Sequence, residues 1–95
     1  VDCVVRAEIR ILAVDTATGD CKEWKGAKII KNIAGATSTN NIETVVSVYS
    51  DLSMVTCTAN MYDDATPQSI EVGIVGIAAT TIEWKCYVNF LRINL

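Results

Sequence analysis

The sequence predicts an α+β protein, a two-layer sandwich in which a four-stranded antiparallel-type sheet carries two helices in the order βαββαβ. Three observations predict it. The first and last segments alternate apolar and polar residues with a period of two. Two internal β-branched runs read as strands as well. Two other stretches sort their apolar residues better at 100° per residue, the signature of a helix packed on one side.

The opening segment, CVVRAEIRILAVD, sets Cys3, Val5, Ala7, Ile9, Ile11 and Ala13 on one face and Arg6, Glu8 and Arg10 on the other. That is a strand with one dry face. In GDCKEWKGAKIIKNIAG, which holds half of the eight cations, alternation fails. On a helical wheel Gly26, Ala27, Ile29, Ile30, Ile33 and Ala34 fill one arc, opposite Lys25, Lys28, Lys31 and Asn32. Asp20 with Glu23 three residues later matches a capping pair, and Gly35 stands where a helix is closed. The expectation is a helix over residues 21–34, with Gly26 marking a close approach because a helical glycine costs about 1 kcal/mol against alanine.

GATSTNN reads as a polar loop, and IETVVSVYS with SMVTCTANMY reads as a β-hairpin joined at Asp51-Leu52. In DDATPQSIEVGIVGIAATT, Thr66-Pro67 resembles a helix start, and Ile70, Ile74, Ile77 and Ala78 recur at helical spacing. Gly73, Gly76, Val72 and Val75 argue for a strand over the same residues. Helix is the reading adopted for 67–80, with strand as the alternative. TIEWKCYVNFLRI closes the chain as a strand with Ile82, Trp84, Cys86, Val88 and Phe90 on one face. The recurrence of Glu-Trp-Lys at 23–25 and 83–85 falls in one expected helix and one expected strand, and reads as coincidence. Right-handed crossovers then give a ferredoxin-like split-βαβ layout with the first and third strands central.

Composition bounds what such a domain does. Ninety-five residues make one domain, 1–95, and 51% hydrophobic residues with a mean hydropathy of +0.31 leave apolar surface for a partner or a membrane. No apolar run reaches the roughly 20 residues that span a bilayer as a helix. There is no histidine and no CxxC, so neither a metal site nor a bound cofactor is expected. Two disulfides are the simplest use of the four cysteines, and the expected layout favours Cys3 with Cys57 and Cys21 with Cys86 among three pairings. The start at Val1 without methionine fits a processed, secreted, extracellular product.

Catalysis is not expected. Asp63-Asp64 reads as a charge pair at a helix start, and the serines have no histidine to activate them. Arg6, Glu8 and Arg10, with Glu83 and Lys85 on the neighbouring strand, read as an exposed charge lattice. A nucleic-acid partner is excluded by a net charge of −3, a pI near 4.7, and a third strand lined by Thr56, Thr58 and Asn60 where stacking aromatics would be needed.

Taken together, the element order and the cysteines near the first strand, first helix and last two strands resemble the virus-encoded killer toxins of fungi and related secreted killer-toxin-like effectors. The resemblance implies a non-catalytic toxin or effector acting at a membrane or cell surface. Two other classes fit the same residues: a protease-inhibitor or propeptide-like binding module, and a self-assembling structural subunit, a homo-oligomer or one paired with a second polypeptide. Two surfaces are singled out. Lys25, Lys28 and Lys31 form a cationic helix face that either keeps the protein soluble or meets anionic surfaces. Val72, Val75 and Ala79, with Gly73 and Gly76 allowing close approach, form a contact surface for a second subunit, a partner chain or a bilayer.

Overall fold

The computed structural model describes residues 2–63 and 70–95. It corrects the fold class to all-β. Six strands, β1 (Cys3–Asp15), β2 (Cys21–Ile33), β3 (Ala36–Ser50), β4 (Thr58–Asp63), β5 (Ile70–Val75) and β6 (Ile82–Asn94), form two antiparallel sheets. The larger has the order β3-β2-β1-β6, and the smaller is the β4–β5 hairpin. Among the described residues the one helical piece is a 3₁₀ turn over Leu52–Met54.

The expected first helix is β2, and its lysine spacing explains the misreading. Residues three apart stay near one face of a helix but alternate between the faces of a strand. Lys22 and Lys28 therefore point inward and Lys25 and Lys31 outward. A strand is favoured because both ends of the segment have turn chemistry. Asp15 accepts the Gly19 amide on its carbonyl (2.8 Å) and the Ala17 amide on its carboxylate (2.9 Å), and Gly19 has φ of 78°. At the other end Ala34 and Gly35 have φ of 52° and 78°, the two left-handed residues of a type I′ hairpin, with Ile33 paired to Ala36. Gly35 is thus a hairpin glycine, not a helix terminator, and the expected polar loop is the start of β3. Gly26 does mark a close approach, since a Cβ there would meet Val45 Cγ2 at 2.8 Å.

The two internal runs do not form a hairpin with each other. After Ser50 the chain leaves the large sheet through the 3₁₀ turn, and β4 crosses to the second layer and pairs with β5. Residues 64–69, with the expected cap at Thr66-Pro67 and the Asp64 half of the acidic pair, lie outside the described residues, but Ile70–Val75 is strand, as the alternative reading had it.

The β1 faces are those read from the alternation. Ile9, Ile11 and Ala13 pack with Trp24 from β2 and with Met54, Cys57, Ala59 and Met61 from the second layer to make the core. Trp24 and Trp84 stack above β1 with ring centroids 5.7 Å apart and planes 18° apart. The repeated Glu-Trp-Lys is therefore structural: β2 and β6 flank β1, run in the same direction, and each turns its tryptophan inward.

Candidate assembly edge

Among the described residues the large sheet has two open edges, β3 and β6. An open edge presents a row of unpaired N–H and C=O groups, and stable monomers blunt it with bulges, polar residues or cover. The β3 edge is blunted. Its pairing with β2 is interrupted at Glu23/Trp24, Lys25/Ala27 and Ala27/Lys28, and its first half is ATSTNN. The β6 edge is not. Thirteen residues, Ile82–Asn94, pair with β1 without one register shift, from Asp15↔Ile82 to Cys3↔Asn94.

From Tyr87 onward this regular edge also carries large apolar side chains on both faces. Tyr87, Phe90, Leu91, Ile93 and Leu95 are each 60–72% exposed, and Val88 is exposed beside them. Tyr87, Leu91 and Ile93 stand on the outer face and Val88 and Phe90 on the inner. The sequence places Ile82, Trp84, Cys86, Val88 and Phe90 on one face, as observed, but of these the inner residues from Cys86 onward are exposed. What the sequence does signal is the run YVNFLRINL, too apolar on both parities for a strand with a solvent face.

The outer face bears the expected charge lattice with different partners. Arg10 Nη1 donates to Glu23 at 2.8 Å, and Arg6 meets Glu8 at 3.1 Å and Glu43 at 4.0 Å. The acids come from β1, β2 and β3; on β6 the charges of this face, Glu83 and Lys85, stand at one end, and Tyr87, Leu91 and Ile93 occupy the rest with Asn89.

The cationic face does not exist as one surface. Lys25 and Lys31 are exposed on the outer face, while Lys28 is fully buried, with the Tyr62 carbonyl among its ammonium contacts at 3.3 Å. Lys22, missed as a site, is also buried: its Nζ donates to the carbonyls of Val55 at 3.0 Å and Cys57 at 2.8 Å and lies 5.2 Å from the Trp24 ring centre. The expected second surface is divided too. Val72 packs on the core and Gly73 lies under the Tyr62 ring, leaving Val75, Gly76 and Ala79 exposed at one end of the hairpin.

All four cysteines are free thiols. Cys21 and Cys86 lie on strands flanking β1, opposite Val14 and Ile11, hence about 10 Å apart across the sheet alone, beyond the reach of a disulfide. Cys3 opens β1, whereas Cys57 sits in the core beside Met54 and Ile11. Burial pushes the Cys57 thiol pKa up, with the Lys22 ammonium acting against it.

Beside the edge, Cys3, Val5, Ile30, Asn32, Thr37, Phe90 and Arg92 line an open concavity of about 370 Å³. Its one cation, Arg92, donates through Nε to Asn94 at 2.8 Å. Near the opposite end Asp51 gathers the Tyr49 hydroxyl and the Cys21 amide (2.8 Å), which hold its carboxyl below the usual range. Among the described residues no group of three or more acidic or sulfur side chains is placed to hold a metal. Neither a family model, nor a curated protein, nor a solved structure matches this chain.

Proposed function

We propose that the protein is a non-catalytic, self-assembling structural subunit whose β6 edge is completed by strand addition. The observation that carries this reading is the β6 edge itself: thirteen residues, unbulged, unpaired on one side among the described residues, and with exposed large apolar side chains on both faces from Tyr87 onward. Strand addition satisfies the open backbone groups and covers the side chains in one step. The killer-toxin reading rested on the βαββαβ order and on the placing of the cysteines, and the all-β architecture removes the first of these.

The test is mass in solution. Light scattering over a range of concentrations is expected to show an associated species. Leu91→Lys, which puts a charge on the exposed edge, is expected to return it to monomer with an unchanged far-UV spectrum. A wild-type protein that is monomeric at every concentration overturns the reading.

A further inference from the structure

Resting on that reading, the geometry points to a specific partner and register: the β6 strand of a second copy, antiparallel, about a two-fold axis at Asn89, giving one continuous eight-stranded sheet. The argument begins with which edges can meet. A subunit joined through β6 to β3 of the next would repeat head to tail, whereas β6 to β6 closes as a dimer. The bulges and the Ser/Thr/Asn run of β3 make it the poorer template, so the unblunted edge is left to meet its own copy.

A two-fold axis perpendicular to the sheet keeps the inner faces on one side, so each residue meets one of the same parity. With the axis at Asn89, Tyr87 stands opposite Leu91 of the second copy on the outer face, and Val88 opposite Phe90 on the inner. Counting both halves, the exposed large apolar residues oppose one another at four positions. An axis at Phe90 gives three such pairs, one at Val88 a single pair, and no other position along β6 more than three.

Charge agrees with the same register. Lys85 faces Ile93, Arg92 faces Cys86 and Glu83 faces Leu95, so no like charges are opposed, an arrangement that would otherwise be destabilising. An axis at Arg92 sets the two guanidiniums against each other. The apolar pattern and the charges of one strand thus select both the occupant and the alignment: the strand is complementary to itself when reversed about Asn89.

The test places a single thiol on the axis. In a Cys86→Ser background, Asn89→Cys puts two thiols directly opposite, with Cβ atoms about 5 Å apart. Tyr87→Cys puts its two thiols four residues out of step, about 14 Å along the strand. A short thiol cross-linker is expected to give covalent dimer from the first and to lose it in the second. Amide exchange is measured alongside, because self-pairing protects both alternating sets of β6 amides whereas an open edge protects only those bonded to β1. If the protein associates and Leu91→Lys dissolves the assembly, yet Asn89→Cys gives no dimer, the Asn89 register is overturned while the assembly reading stands. A monomer with alternate β6 amides unprotected overturns both.

Discussion

Lys22 gives the most demanding test of how the two layers are held together. Its ammonium lies over the Trp24 ring and reaches the carbonyls of Val55 and Cys57 in the segment that carries the chain from β3 to β4. Lys22→Met keeps an unbranched apolar stem and removes the charge. Hydrogen bonds to charged groups contribute about 1.5–3 kcal/mol each, and a bare buried carbonyl costs about 1–3 kcal/mol. The Val55 end is only partly buried, so water can replace that bond, and the cost falls on the buried Cys57 carbonyl. Adding about 0.5–1 kcal/mol for the ammonium over the indole, and setting against it the desolvation the ion no longer suffers, the expected loss is about 2–4 kcal/mol. With a urea slope of about 2 kcal/mol per molar, the middle of the usual range, the unfolding midpoint should fall by roughly 1–2 M. Equilibrium urea unfolding followed by tryptophan fluorescence reads this directly through the Trp24–Trp84 stack. A Lys22→Met protein within about 0.5 kcal/mol of wild type, the range of an ordinary surface change, would refute the view that this ammonium ties the layers.

The remaining predictions concern the turns, the acid limb, the core and the thiols. Ala34→Asn should stabilise the protein by about 0.5–1 kcal/mol in thermal or urea unfolding, because Ala34 holds a left-handed φ of 52° that asparagine tolerates better. Asp51 titrates below its ordinary value, through the Tyr49 hydroxyl and then the Cys21 amide, so its stabilisation is complete above the unfolded-state pKa near 4 and is lost as pH falls through the folded value. Asp51→Asn should therefore flatten the acid limb of a stability-against-pH curve, and an unchanged limb counts against the carboxylate. Trp24→Ala should cost about 3–5 kcal/mol and broaden the NMR signals of β2, whereas sharp, singly populated β2 resonances would show that register is fixed elsewhere. In alkylation under native conditions without the associated species, exposed Cys86 should react well before buried Cys3 and Cys57, and equal rates would contradict the packing.

How much of this was legible depends on which period dominated locally. β1 and the start of β6 were readable because apolar and polar residues alternate along them, and Gly26 was readable as a place where no side chain fits. β2 was not. Lysines spaced by three imitate a helical face, and the counter-signal lay at its ends, in an Ala34-Gly35 turn that looks equally like a helix terminus. The Thr/Ser/Asn run at 37–41 looks like a loop by composition, yet that hairpin turn zips it onto β2. The candidate edge was half legible: the apolar residues of β6 were on the page, but which strand would be outermost is decided by long-range pairing that local pattern does not encode.

The register of β2 shows why the inward lysines are compatible with one defined structure. A slip of three residues against β1 would bring Lys25 to the place of Lys22 and Lys31 to that of Lys28, so both inward ammonium positions would be refilled. Ile33 would likewise replace Ile30, and the charge pattern alone cannot tell the two alignments apart. Two positions can. Ala27 would replace Trp24, abandoning the stack on Trp84 and most of the side-chain volume above Ile11. Ile29 would replace Gly26, where even a Cβ meets Val45 at 2.8 Å. One alignment therefore leaves a hole beside Trp84 and a clash beside Val45, and the other leaves neither. The largest side chain of β2 and its only glycine, two residues apart, set the register that decides which lysines are inside. Because β1 is paired on both sides, the same pair helps hold the straight, unbulged ladder that leaves β6 open.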